Sequence, residues 1–432
     1  MPPKGARAPD ASLHADAQTA QSVLDPNYWR RVCPSLHVDD AALQASAAPL
    51  PADPIGCANL RQRINLDGYA QISAADLPWS SGVGPMADGV AQLQAQGWPP
   101  SFVAIFDEAW LMASEISAII EAATGNKINM DVLGWSVLPP QCGFSPHRDR
   151  QPERPAESFR EDGTPMYSTC WVALTDACPD NSCLYIIPRG ADPGYLEGDD
   201  PDGDPLAACL PTKEAYQDIR ALPAEAGSAI LFTHRAIHWG SRGRAGYTKP
   251  RVSLSFGCSD DSFEAAYFSR DDLPFPNLKL RAALMCGQMI AYHERFPCSP
   301  ARLMLYMKVF EQEQSSFTGS YCQQIRREFV AATKEVQGIP KGHPTGLGDA
   351  LEDDVLDKAL DVMLDGALDG GDDFDDDFDD FCEAADVGDD AGPSRPCVTD
   401  EGDEEEEEDA EGQWALETAE VAVHPVPVVE HR

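Results

Sequence analysis

Between Val132 and Cys258 the chain breaks into short β-rich runs separated by turn residues, and no other feature constrains the fold as tightly. The runs are Val132–Leu138, Tyr167–Thr175, Cys183–Pro188, Ser228–Thr233, a piece at His234–Trp239, and Arg251–Cys258. Turn signals part them: Pro179-Asp180-Asn181, Pro188-Arg189-Gly190, Ala226-Gly227-Ser228 and Arg242-Gly243. Short strands at this spacing pack as a sandwich or a barrel. The last run alternates strongly. Val252, Leu254, Phe256 and Cys258 share one face, and Arg251, Ser253, Ser255 and Gly257 share the other. Thr169, Trp171, Ala173 and Thr175 alternate in the same way, which puts the Trp171 ring on the face that looks into the barrel.

Helices flank this block. Pro26 stands at the first position of a short helix that Asp25 opens. Ala41 to Pro54 reads as an Ala/Pro-rich linker, and Gly68–Ile72 as a short strand. Met86 to Gln96 is helical, with Met86, Val90 and Leu93 on one face. Phe102–Phe106 reads as a short apolar strand. Ala109–Ala123 carries a stripe of Leu111, Met112, Ile116, Ile119 and Ile120, and Gly125 stops it. Helix returns over 279–336. The insertion Asp192–Ala221, rich in Gly, Pro and Asp, is expected to cover one end of the barrel. The expected organisation is a disordered N-terminus over 1–20, one domain over 21–338 with its jelly-roll core at about 130–260, and a disordered acidic tail over 339–432.

Charge follows that division. The formal net charge is -40 at pH 7, and residues 351–432 alone hold 31 acidic and 3 basic residues. Neither part offers the basic surface that nucleic acid or an anionic membrane requires, so no such partner is expected. In the tail, Phe374, Phe378 and Phe381 recur at helix-like spacing among aspartates. A solvated tail has this composition, and so does a segment that folds onto a protein partner. Thirteen cysteines are scattered without a Cys-x-x-Cys pair, which fits free thiols in a reducing compartment rather than a zinc site. The first residues lack the apolar core of a signal peptide, and no apolar run reaches membrane-spanning length. A cytoplasmic, soluble protein is expected.

The chemistry concentrates at Ser145-Pro146-His147-Arg148-Asp149-Arg150, just after the first run. Residues i and i+2 of an extended chain point the same way, so His147 and Asp149 can converge on one ion. A lone His-x-Asp arises by chance in roughly every second chain of this length and proves little. His238 completes the set: it follows a strand, precedes Gly240, and lies where a late strand of a jelly roll meets an early one. Two histidines and a carboxylate form the facial triad of non-haem Fe(II) oxygenases. Arg251 lies just beyond, on the inward face, where its forked guanidinium can hold a carboxylate through two parallel hydrogen bonds. Together these parts describe a site for Fe(II) and a 2-oxo acid.

The same residues carry a family resemblance. Ser145-Pro146-His147-Arg148-Asp149, Trp171–Asp176, Pro179–Pro188, His238-Trp239-Gly240 and Pro250-Arg251-Val252-Ser253 resemble the phytanoyl-CoA dioxygenase family in order and spacing, over roughly residues 65–260. The resemblance implies a double-stranded β-helix with flanking helices, α+β overall. It implies Fe(II) at His147, Asp149 and His238, and 2-oxoglutarate held by Arg251 with Trp171 nearby and Ser253 beside it. Ascorbate is a candidate reductant. The implied reaction is hydroxylation of a small organic substrate. The retained Asp149 argues against halogenation, because related halogenases replace that carboxylate by Gly or Ala. One departure stands out. Family members often place a serine two residues after the distal histidine as a further 2-oxoglutarate contact. Here that residue is Gly240, and Ser241 either substitutes or the contact is lost.

Rival readings attach to the same residues. His147 and Asp149 in a surface loop would pair with Arg148 or Arg150. His238 could be a satisfied core histidine, and His234, four residues away, is a rival ligand. Arg251 could be a structural ion pair and Trp171 plain core. At the level of the whole chain, the rivals are a catalytically inactive jelly roll that works through its acidic tail, and a cupin-like metal enzyme with no 2-oxo acid.

Overall fold

The computed structural model describes residues 19–270, 275–296 and 298–336, all within one unit of the chain, Met1–Asp361. The first eighteen residues and the acidic tail lie outside the described residues, so the expectations of disorder and of a tail partner fall there.

Eleven α-helices are described: α1 Ala20–Val23, α2 Pro26–Val32, α3 Ala41–Ala45, α4 Pro54–Asp67, α5 Gly84–Ala95, α6 Asp107–Thr124, α7 Gly194–Glu197, α8 Pro205–Cys209, α9 Leu278–Ala291, α10 Pro300–Gln312 and α11 Gly319–Val336. The strands are β1 Tyr69–Ile72, β2 Lys127–Val137, β3 Tyr167–Ala173, β4 Leu184–Ile186, β5 Arg220–Leu222, β6 Ala229–Thr233, β7 His238–Gly240 and β8 Arg251–Ser259. They form two sheets, in the orders β1-β6-β3-β8-β2 and β5-β4-β7, with every pair antiparallel. This is the expected jelly roll with helical flanks.

The core between the sheets holds Trp171, Leu184, Ile186, Leu222, Ile230 and Phe232. The far face of the larger sheet is covered by helices. α6 and α9 pack on β2, and α5 packs on β8. That is why β8 is buried on both faces while its residue types still alternate. Val252, Leu254, Phe256 and Cys258 meet the helices. A buried pair, Arg281 to Asp107 at 2.6 Å with both side chains fully enclosed, ties α9 to the start of α6.

Several boundaries depart from the sequence reading. Phe102–Phe106 is no strand: Pro100–Ile105 forms a 3₁₀ helix, buried along its length. Pro100 fixes its φ at the first helical position, and a run that is apolar on every side has no period to distinguish helix from strand. The expected linker contains α3, whose N-terminal amides bond the Asp40 carboxylate. The helix α4 carries almost no apolar stripe, with only Cys57 and Ile64 buried, although Asp53 caps it and Gly68 ends it at φ +84. The strand expected from Val132 begins five residues earlier and contains a bulge between Ile128 and Val132, with Met130 at φ +75. The insertion 192–221 forms α7, α8, a 3₁₀ turn and the start of β5, and its Leu206, Leu210 and Ile219 pack on Ile187 and Ile237. Every described cysteine is a free thiol. No helix among the described residues is long and apolar enough to cross a membrane.

Candidate metal and oxo-acid site

The segment before β3 bridges to the smaller sheet at His147 and His238, where each backbone amide donates to the other's carbonyl at 3.1 Å. The bridge sets the two histidines side by side, with ring centroids 4.3 Å apart. Asp149 completes the group: its Oδ1 lies 3.5 Å from Nε2 of each histidine. One ligand atom from each of the three falls within 4.8 Å of the others.

Both imidazoles are oriented by the same device. Nδ1 of His147 faces the Ser145 carbonyl at 2.8 Å, and Nδ1 of His238 faces the Ala236 carbonyl at 3.0 Å. A ring that donates from Nδ1 turns the lone pair of Nε2 toward the ion, the arrangement metal-bound histidines adopt. Asp149 is held by the Thr169 hydroxyl, which donates to Oδ2 and leaves Oδ1 facing the histidines. Burial pushes the Asp149 carboxyl up, but His238, His147 and Thr169 outweigh it and hold it well below the usual range. Burial, aided by the charge of His147, pulls His238 down to about 4. At neutral pH the site therefore offers an ionised carboxylate and a neutral His238, the protonation states a divalent metal binds.

Alternation along the segment secures it from behind. Arg148, between the two ligands, points the other way and is buried among Asp192 (2.6 Å), Asp199 (2.6 Å) and the Arg235 carbonyl. Two of those partners lie in the insertion, so the insertion anchors the ligand loop. Arg150 bonds Glu264 (2.6 Å), Asp131 (3.0 Å) and the Asp149 carbonyl (3.0 Å). The Met130 bulge turns Asp131 into this network, and Gly257 makes room for it.

Across a cavity of about 70 Å³ from the metal group sits Arg251, 2% exposed. Its Nε has no partner, and no described carboxylate pairs with it; its guanidinium lies 5.8 Å from the centre of the Trp171 ring. Burial pulls its pKa down to about 10, against a small opposing effect of Cys183. A buried, unpaired guanidinium is costly and marks a place where an anion binds. Thr169, Trp171, Phe232, Gly240 and Ser255 line the same cavity.

Of the residues named from sequence, His147, Asp149, His238, Arg251 and Trp171 converge here. Ser253 is fully buried on β8 with an unpartnered hydroxyl but does not line the cavity. Ser241 does not line the cavity either. His234 is no ligand: both its nitrogens are taken, by the Tyr167 carbonyl (2.9 Å) and the Ser158 hydroxyl (2.7 Å). Tyr292 and Arg295, from the end of α9 and just beyond, also line the cavity. No local pattern in the sequence marks them, because their role comes only from where α9 lands. The hold of Thr169 on Asp149 follows from the inward face of β3, which the alternation had already exposed.

The model of the phytanoyl-CoA dioxygenase family matches residues 83–246, a span that includes all three metal-facing residues. Over those residues the chain is similar to the phytanoyl-CoA dioxygenase family. The family match stops five residues before Arg251 and covers less than half of the chain. Comparison with curated proteins returned no match. Solved structures similar to the chain include the epimerase SnoN in complex with Fe3+, alpha ketoglutarate and nogalamycin RO, at 20% identity and TM-score 0.37, covering 48% of this chain and 85% of that one. The carbocyclase SnoK from nogalamycin biosynthesis is 16% identical with TM-score 0.35, over 47% and 83% of the two chains. HygX from Streptomyces hygroscopicus, with nickel and 2-oxoglutarate bound, is 10% identical with TM-score 0.35, over 48% and 88%.

Proposed function

We propose that residues 21–338 form one oxygenase domain that uses Fe(II) and 2-oxoglutarate to oxidise a small organic substrate, most simply by hydroxylation. The observation that carries this reading is the pairing, across one small cavity, of a His-Asp-His group with a buried guanidinium that has no anion of its own. The donor set suits the metal: two imidazoles and one carboxylate bind iron while leaving other positions open. The orphaned Arg251 suits a dicarboxylic oxo acid, whose far carboxylate it would hold.

When bound, the iron and its co-substrate supply the oxidising power, since 2-oxoglutarate loses carbon dioxide and becomes succinate as dioxygen is reduced. The chain's own residues do the rest. His147, Asp149 and His238 hold the metal on one side. Thr169 fixes the rotation of the Asp149 carboxylate, and Arg148 holds the loop between the ligands through Asp192 and Asp199. Arg251 and Trp171 fix the far end of the oxo acid and keep that end dry.

The cavity beside the metal group is too small to hold much of a substrate as well. A second cavity, of about 470 Å³, lies between the Arg150 network and helices α9 and α11. Tyr292 lines both cavities. We place the body of the substrate there, against Arg150, Glu264, Tyr267, Tyr292, Tyr321 and Gln324. These residues offer aromatic faces and hydrogen-bonding groups together, which suits a hydroxyl-bearing molecule with some ring surface.

The test is turnover of the co-substrate alone. The full chain is incubated in air with Fe(II), ascorbate and 2-oxoglutarate labelled at C1, and released carbon dioxide and succinate are measured. Slow, metal-dependent release that is lost in Asp149→Ala is expected. Oxygen consumption that needs metal but ignores 2-oxoglutarate would instead support a cupin-like enzyme and contradict the proposal.

A further inference from the structure

Two arginines line the metal cavity, Arg251 at its buried end and Arg295 at its exposed end. The other arginines packed around the ligand segment are committed to carboxylates. Arg148 holds Asp192 and Asp199, Arg150 holds Glu264 and Asp131, and Arg235 lies by Asp199. Arg295 pairs with no carboxylate among the described residues, in a chain with 72 acidic residues against 32 basic ones. Its guanidinium instead lies 4.4 Å from the centre of the Phe144 ring. Attraction to a ring face draws on the charge of a guanidinium and leaves its N–H fork available to an anion.

The turn that carries Arg295 is held in place. Tyr292 closes α9, and its carbonyl accepts from the amides of Arg295 at 2.9 Å and Phe296 at 3.0 Å. The Tyr292 hydroxyl donates to Asp131 at 3.1 Å. Phe296 stacks on Trp135 of β2, with ring centroids 4.5 Å apart. Trp135 meets Phe144 edge to face, and the Phe144 ring centroid lies 5.3 Å from that of His147. An aromatic wall therefore runs from a metal ligand to the turn, with an open cation at its outer edge. Trp135, Phe144 and Tyr292 all line the metal cavity. Tyr292, three residues before Arg295, also borders the larger cavity. A molecule that passes from the larger cavity to the metal comes within reach of this turn.

We propose that Arg295 reads an oxyanion on the primary substrate, a carboxylate or a phosphate, while Trp135 and Phe144 carry the ring or apolar part beside it. The two open arginines then divide the work. Arg251 takes the co-substrate at the buried end, and Arg295 takes the substrate at the mouth. The inference rests on the co-substrate reading given above and adds a charge to the substrate class. Arg295 is a specificity residue in this scheme, remote from the atoms that react.

The test compares three probes of one shape: benzoate, phenyl phosphate and neutral benzamide. Each is titrated without oxygen into the full-length Fe(II) protein saturated with 2-oxoglutarate, so that Arg251 is already occupied. Binding is read from the broadening of the probe's ring-proton NMR lines by the paramagnetic iron, which a contact far from the metal does not produce. At least one anion should bind about 10- to 100-fold more tightly than benzamide, the value of hydrogen bonds to a charged group. The stronger of the two anions tells a carboxylic acid from a phosphate ester. In Arg295→Gln the probes should bind within about threefold of one another, and Arg295→Lys should keep a reduced preference. Iron affinity and the thermal midpoint of Arg295→Gln should match those of the unsubstituted protein, because the side chain is exposed. No preference for either anion, or a preference that survives in Arg295→Gln, would overturn the assignment of Arg295 alone. An unsubstituted protein that binds iron but shows no visible chelate band with 2-oxoglutarate would overturn the co-substrate reading, and with it this division between the arginines.

Discussion

Replacing Arg251 by methionine should stabilise the ligand-free protein, against the usual result for a buried residue. Arg251 is 2% exposed and its guanidinium has no anionic partner among the described residues. Burial lowers its pKa from 12.5 to about 10. At about 1.4 kcal/mol per tenfold, that is a cost of about 3 kcal/mol borne by the folded state, because an arginine stays charged at any working pH. Methionine fills similar volume without the charge. Against the gain stands the lost attraction to the Trp171 ring, worth about 0.5–2 kcal/mol. The net expectation is a gain of about 1–2 kcal/mol in urea unfolding without co-substrate. With 2-oxoglutarate and metal present the order reverses. At 100 times its dissociation constant a ligand adds about 2.7 kcal/mol to the unsubstituted protein. The variant should gain almost nothing, since losing one partner of a buried charge pair costs about 2–5 kcal/mol of binding. A ligand-free variant destabilised by more than about 2 kcal/mol, with protection by 2-oxoglutarate retained, would show that Arg251 is structural and refute the reasoning.

Other substitutions test separate parts of the structure. Thr169→Val should lower metal affinity about 10- to 100-fold in competition with a chelator while leaving the thermal midpoint nearly unchanged, because it frees the Asp149 carboxylate without opening the core. Gly257→Ala would drive a methyl into Tyr167 Oη and within 2.7 Å of both Asn129 Oδ1 and Asp131 Cβ, and should cost about 3 kcal/mol in chemical unfolding, whereas Gly190→Ala, which meets nothing within 4 Å, should be neutral. His234 is buried and its pKa is pulled down to about 4. Its contribution to stability is therefore present above the unfolded value near 6.5 and is lost as pH falls through the window from about 6.5 to about 4, by up to about 3 kcal/mol. His234→Gln should flatten that part of a stability-versus-pH profile.

Much of this site was legible in the chain because the chemistry lies on regular strands. The alternation in β8 survives although both faces are buried, since one face meets helices and the other meets a ligand cavity. That difference in residue type placed Arg251 inward before any contact was known. His147 and Asp149 were readable for the same reason: two residues of extended backbone share a side. What escaped depends on tertiary placement. The helix α4 buries only Cys57 and Ile64 and leaves Ile55 and Leu66 in solvent, so it has no stripe to find. The 3₁₀ segment at Pro100–Ile105 is apolar all round and hides its period. The bulge at Met130 has no glycine to announce it. Tyr292 enters the site only because α9 packs across β2. Gly240 was visible as a departure, but only the structure shows that Ser182 Oγ and the Gly143 backbone stand where a side chain there would go.

The central claim is that one cavity holds Fe(II) on His147, Asp149 and His238 and a 2-oxo acid on Arg251. The most direct measurement is an anaerobic titration of the purified full-length protein with Fe(II) and then 2-oxoglutarate, followed in the visible region. The account predicts a charge-transfer band that appears only after the second addition, disappears in His147→Ala and weakens in Arg251→Met. Iron that binds normally with no band on adding 2-oxoglutarate, or no iron binding at all, would contradict it.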